Sequence, residues 1–176
     1  MTDPAKEVHM THERAATVVP PTEGELIDVA GGRYRFLASR ASTAGTYALW
    51  EAIVPPGAGA PPHLHTREEE GFYVIEGEVT IHVDGRTVTA TPGSFVNMPV
   101  GSMHWFHNDS DRIAKLIILT APGGLEEFFR RLGTRVKDPG SPIPPIDDEQ
   151  EVRMLAVAAE FGLEILAPDG GHGPGS

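Results

Sequence analysis

The sequence predicts an all-β sandwich or barrel followed by short C-terminal helices. Three observations carry this reading. From Arg33 to Thr120 the chain breaks into short segments rich in β-branched and aromatic residues, separated by Gly, Pro and Asp. Within that stretch, EGEVTIHVDGRTVTA places Asp84-Gly85 between two alternating runs, the strongest short-range hairpin signal. After Thr120 the apolar period lengthens to that of a helix.

Residues 1–24 are polar and aperiodic and read as a flexible arm. The segments YRFLA, YALWEAIV, GFYVI, VTIHV, RTVTA, SFVNM and AKLIILT are the clearest strands, and seven or eight at this spacing suit a sandwich or barrel. Leu125, Phe128, Phe129 and Leu132 follow i, i+3, i+4, i+7 spacing, with Glu126 and Glu127 opening the helix and Arg130 and Arg131 closing it. DPGSPIPPIDD cannot be helical and is expected to run extended over the surface. A second helix is expected from Asp147 or Asp148, burying Val152, Leu155, Ala156 and Ala159 and stopping at Gly162. The LEIL that follows is either an edge strand or a segment packed on the barrel. The chain contains no internal repeat, so one barrel is expected. The expected organisation is an arm over 1–24, a barrel over 25–122, packed helices over 123–168 and a flexible tail over 169–176.

Composition narrows the function. Asp and Glu number 25 against 14 Lys and Arg, a formal charge of −11 that repels phosphate backbones and anionic membrane surfaces. Neither nucleic acid nor membrane is an expected partner. The chain has no cysteine, so any metal must be held by imidazole and carboxylate. No stretch approaches the ~20 apolar residues of a membrane span, and the N-terminus lacks the apolar core of a secretory signal. A cytoplasmic protein is expected.

The chemistry concentrates in two segments. PPGAGAPPHLHTREEEGFYVIEG reads G(X)5HXH(X)4E(X)6G from Gly57 through His63, His65 and Glu70 to Gly77, and GSFVNMPVGSMHWFHN reads G(X)5PXG(X)2H(X)3N through Gly93, Pro99, Gly101, His104 and Asn108. Together they resemble the two motifs of the cupin superfamily with no position missing. That resemblance implies a double-stranded β-helix, or jelly-roll, barrel holding one divalent transition metal ion on His63, His65, Glu70 and His104.

Alternation along a strand agrees with it. His63 and His65 share a face with Leu64 turned away, while Pro99 and Gly101 make a turn that places His104 at the start of the returning strand. Three imidazoles and a carboxylate suit a borderline ion: Fe, Mn, Ni, Co, Cu or Zn. Of the adjacent glutamates, Glu70 stands six residues before Gly77 and shares parity with Phe72 and Val74. Glu68 and Glu69 read as a solvated face, His82 as exposed and His107 as structural. His9, His12 and His172 read as neutral tail residues. Phe72, Val74, Phe95, Met98, Trp105 and Phe106 are either core or cavity wall. Phe72, Val74 and Phe106 are expected to line a substrate pocket beside the ion, and Trp105 to point away.

GGRYRFLAS, GLEEFFRRLG and LAVAAEFGLEIL, with the first motif, resemble quercetin 2,3-dioxygenase-like monocupins over residues 30–168. The resemblance implies an apolar aromatic substrate such as a flavonol, O2 as co-substrate, ring cleavage with release of carbon monoxide, and Glu70 as the residue that takes the substrate hydroxyl proton. Two other classes share such sites: a small-molecule binding module without turnover, and an isomerase or epimerase of polar substrates, which needs a charged pocket. A homodimer is expected, since barrels of this kind expose sheet edges and apolar outer faces.

Overall fold

The computed structural model describes residues 14–166. Residues 14–24 form no strand or helix. The regular elements begin with β1 (Glu25–Val29), β2 (Gly32–Ala38), the one-turn helix α1 (Arg40–Thr43) and β3 (Ala48–Val54). The barrel continues through β4 (Gly59–His65), β5 (Glu69–Glu76), β6 (Val79–Val83) and β7 (Arg86–Ala90). It is completed by β8 (Phe95–Met98), β9 (His104–His107) and β10 (Ala114–Ala121). Then come α2 (Glu126–Leu132), the short β11 (Thr134–Arg135), α3 (Asp148–Val157), a 3-10 turn over Ala158–Phe161 and β12 (Leu163–Ile165).

The strands make two antiparallel sheets, one in the order β11-β1-β2-β3-β10-β5-β8 and one in the order β12-β4-β9-β6-β7. Alternation turns one face of the larger sheet inward: Ala48, Trp50, Ala52 and Val54 on β3, and Ala114, Leu116, Ile118 and Thr120 on β10. Register lines Trp50, Ile118 and Phe72 across three strands, and Ile81 and Phe106 pair in the opposite sheet. The rings of Phe72 and Phe106 meet edge to face with centroids 5.3 Å apart, joining the sheets across the core. Burying each of these side chains contributes roughly 2 kcal/mol.

Turn chemistry sets the pairings. Asp84 and Gly85 both have positive φ, 48° and 74°, as a two-residue type I′ hairpin between β6 and β7 requires. Gly59 is needed for a different reason: a Cβ there would sit 2.1 Å from the carbonyl oxygen of Phe106, so only glycine lets β4 lie this close to β9. Asn108, fully buried, donates to the carbonyls of Val54 and Arg112 at 2.8 and 2.7 Å and accepts from Ser110, tying the chain after β9 to the end of β3.

The C-terminal elements cover one end of the barrel. Leu125, Phe128 and Leu132 are buried as the α2 periodicity predicts, and Asp147 caps α3 by accepting from the Gln150 amide at 2.7 Å. The face of α3 differs from expectation. Val152 and Leu155 are 65% and 39% exposed, Ala156 and Ala159 also face solvent, and the buried residues are Met154 and Ala158. Apolar residues run all round this helix, so periodicity alone allowed two stripes, and the longest side chain, Met154, takes the inward place. Phe95, a core candidate by composition, is 62% exposed on the outer face of β8. LEIL resolves as an edge strand, β12 pairing with β4 so that Leu163 faces His65 and Ile165 faces His63. The Pro-rich connector runs without helix over the surface and is held by buried Arg33, which donates to the Pro139 carbonyl at 2.6 Å and pairs with Asp28. No helix among the described residues is long and apolar enough to cross a membrane.

Candidate metal centre

Both sheets contribute to one cluster. β4 carries His63 and His65, its neighbour β9 begins with His104, and register sets His63 opposite His104. Glu70 comes from β5 in the facing sheet, opposite Thr120 and Met98. The turn before β9 closes with the Ser102 amide on the Pro99 carbonyl at 2.9 Å, while the Gly101 amide donates to the His65 carbonyl at 2.8 Å. That last bond fixes His104 relative to β4.

His63, His65, Glu70 and His104 can each offer one ligand atom, all within 4.8 Å of one another. Glu70 Oε2 lies 2.9 Å from His104 Nε2 and 3.2 Å from His65 Nε2. Glu70, His65 and His104 are 5%, 2% and 1% exposed, and His63 is the most open of the four. The Nδ1 atoms face away from the centre: His63 Nδ1 donates to the Pro61 carbonyl at 2.8 Å and His104 Nδ1 to the Ser102 carbonyl at 2.9 Å. A carbonyl can only accept, so these bonds put hydrogen on Nδ1 and reserve Nε2 for the centre.

Burial and mutual charge perturb the titration of three of the four groups. Burial, reinforced by the like charge of His104, depresses His63 to about 4. Burial also opposes charge on His65, but the Glu70 and Glu68 carboxylates outweigh it and raise the ring to about 9. Glu70 shows the converse: burial pushes its carboxyl up, and His65 and His104 overcome that to hold it well below the usual carboxylate range. In the metal-free protein, then, histidine charge compensates the buried carboxylate. Among the described residues, His65 Nε2 has no aligned hydrogen-bond partner, nor do His65 Nδ1 and Glu68 Oε2. A fully buried Nε2 left in this state suits coordination, and the donor set of three His and one Glu fits a first-row divalent ion.

Beside His63, His65 and Glu70 lies a cavity of about 70 Å3, with Phe72, Phe106, Trp50, Ile118 and Phe129 among its walls. Phe72 and Phe106 reach this space from opposite sheets. Val74 is buried one inward position further along β5 and does not line the cavity. Tyr34 does, and burial followed by the charge of Glu70 drives its phenol above its ordinary range, so it stays protonated. Past Ala60, Pro61, Met154 and Ile165, which border both spaces, opens a vestibule of about 520 Å3 between the Pro55–Pro61 turn, the connector and α3.

Several expectations are amended. Glu69 is exposed and accepts from Asn97 Nδ2, but Glu68 is only 5% exposed and stands beside His65 instead of in solvent. His82 is half-buried, its ring stacked on outward-facing Trp105 with centroids 4.4 Å apart. His107 bridges Asp109 and the Gly57 carbonyl at 2.8 and 2.9 Å, a structural contact. His9, His12 and His172 lie outside the described residues. Met154 and Phe129 as cavity walls were not anticipated, because they come from the C-terminal helices, whose spatial relation to the motifs no local pattern encodes.

Residues 50–120 match the Cupin domain family. The chain is 30% identical over 116 residues to quercetin 2,3-dioxygenase of Bacillus subtilis (strain 168), a match covering 66% of this chain and 34% of that protein, so the chain spans only about a third of that relative. KdgF from Halomonas sp. superposes with a TM-score of 0.58 at 20% identity, covering 64% of this chain and 99% of that one. A RmlC-like cupin from Shewanella frigidimarina NCIMB 400 does so with a TM-score of 0.57 at 21% identity, covering 65% and 97%. At such identity the two structures speak for fold alone. Two facing antiparallel sheets, both motif segments and the match over residues 50–120 agree on a cupin domain in this part of the chain.

Proposed function

We propose that this cupin is a metal-dependent dioxygenase of the quercetin 2,3-dioxygenase-like kind, cleaving a flavonol or similar enolisable aromatic compound with O2. The observation that carries this reading is a buried carboxylate, Glu70, set between two imidazoles at the inner end of an apolar, aromatic-walled cavity. His63, His65, Glu70 and His104 would hold one divalent ion, which when bound supplies Lewis acidity and redox access to O2. The chain's own residues do the rest. Phe72, Phe106 and Trp50 offer flat apolar surface to an aromatic ring and exclude water. Glu70, kept anionic, accepts the hydroxyl proton of the substrate at a carboxylate oxygen. The inner cavity of about 70 Å3 is smaller than the ~300 Å3 from which ligand pockets usually begin, so the reacting ring enters it while the remainder of the molecule occupies the vestibule of about 520 Å3.

The size of the inner cavity also favours a second reading, a binding module that takes a small ligand without turnover. An isomerase or epimerase of polar, charged substrates finds less support, since no Arg or Lys is among the described residues lining the inner cavity. An oxygen-electrode screen of metal-loaded protein separates these readings. Uptake of O2 with a flavonol or another enolisable aromatic supports the dioxygenase. Ligand binding by calorimetry with no O2 consumed across that series would replace it with the binding module.

We also propose that the protein is a homodimer. The outer face of the larger sheet exposes Tyr73, Ile75, Phe95 and Leu119 at 45%, 43%, 62% and 37%, next to the free edge of β8. Sedimentation at micromolar concentration should give about twice 18.9 kDa. A mass near that of one chain would refute it.

A further inference from the structure

Glu68 has no role in the proposed reaction, yet it is placed as a functional group would be. Its side chain is 6% exposed, Oε2 has no hydrogen-bond partner among the described residues, and the nearest ring nitrogen, His65 Nδ1, is 3.7 Å away and equally unpaired. The adjacent Arg67 makes its hydrogen bond elsewhere, its guanidinium donating to the Glu160 carbonyl at 3.0 Å. A carboxylate buried without a partner costs stability, so a compensating interaction is expected once the site is complete.

The other two histidines show what is missing. His63 and His104 each anchor Nδ1 on the carbonyl two residues earlier, Pro61 and Ser102. His65 makes no such bond, and the acceptor standing on its Nδ1 side is the carboxylate three residues later. We propose that Glu68 is the positioning residue of His65: it accepts the Nδ1 hydrogen, holds the ring with Nε2 directed at the metal, and strengthens that nitrogen as a ligand through its negative charge. The inference rests on the reading of His63, His65, Glu70 and His104 as metal ligands. A contact of 3.7 Å becomes a hydrogen bond through a small side-chain rotation, and an outer carboxylate on a metal-bound imidazole is a common device. It also balances charge. With neutral imidazoles, one divalent cation is offset by Glu70 and Glu68 together, which leaves the metal-loaded centre without net charge.

The test compares Zn2+ binding, by competition with a chromogenic chelator, in the wild type, Glu68→Gln, Glu68→Ala and His65→Ala, together with the melting temperature of each metal-free protein and 15N spectra of the Zn2+-loaded forms. Glu68→Ala should weaken Zn2+ binding ~10–100-fold, with Glu68→Gln between it and the wild type because the amide still accepts but carries no charge. Metal-free melting temperatures of both Glu68 variants should change little, since the burial cost removed with the carboxylate offsets the support it lends to charge on the His65 ring. In the Zn2+-loaded wild type, the His65 Nδ1 proton should be strongly deshielded, and Glu68→Gln should move it back. Zn2+ affinity within twofold of wild type in Glu68→Ala, or a fall in metal-free melting temperature that accounts for the weaker binding, would overturn the proposal. A His65→Ala variant that loses Zn2+ while Glu68→Ala keeps it refutes this inference alone. A His65→Ala variant that binds like wild type refutes the ligand reading beneath it.

Discussion

Glu70→Gln is expected to keep much of its metal and to lose turnover by roughly 10²-fold or more. The amide is nearly isosteric, and three imidazoles remain to hold the ion, so occupancy falls far less than activity. What disappears is the anionic oxygen between His65 and His104, and with it the group able to take the substrate proton. Glu69→Gln is the matched control. That carboxylate is exposed and accepts from Asn97 on the outer side of the sheet, so its loss should change neither metal content nor rate appreciably. Metal analysis and oxygen uptake measured on both variants side by side decide the matter. An inactive Glu69→Gln beside a fully active Glu70→Gln would reverse the assignment.

Gly59→Ala should have the largest effect on the scaffold. The added methyl would meet the Phe106 carbonyl oxygen at 2.1 Å and the His107 Cα at 2.9 Å, and both are backbone atoms that cannot swing aside. β4 and β9 must part. Overpacking of this kind costs about 3 kcal/mol, which for a chain of this size lowers the melting temperature by roughly 6–12 °C. The same strand pair carries His63, His65 and His104, so Zn2+ affinity should fall along with stability. Calorimetric melts of the metal-free variant check the first effect and chelator competition the second. A variant melting within ~2 °C of wild type would show that the close approach is not required.

The site was legible where local rules decide it. Alternation along β4 puts His63 and His65 on one face whatever the remainder of the chain does, and the interval back from Gly77 singles out Glu70 over Glu69. The Asp84-Gly85 hairpin was equally readable, because few residue pairs accept positive φ twice in succession. Elsewhere two faces were chemically alike. α3 is apolar around most of its circumference, so the choice of Met154 over Val152 and Leu155 depends on the shape of the barrel mouth. Phe95 fits strand alternation on either side of β8 and lies outward, where a second chain would cover it. Glu68 was the least visible. Amid three consecutive glutamates it looks like surface charge, and its burial depends on where the turn between β4 and β5 sets it beside the ring of His65.

The metal centre itself is tested most directly by locating the ion. Protein purified without chelators should carry one equivalent of a first-row divalent metal, and anomalous X-ray scattering at that metal's absorption edge should give a single peak between His63, His65, Glu70 and His104. Protein reconstituted with excess metal that shows no peak there, or only a peak at another place, would contradict the account.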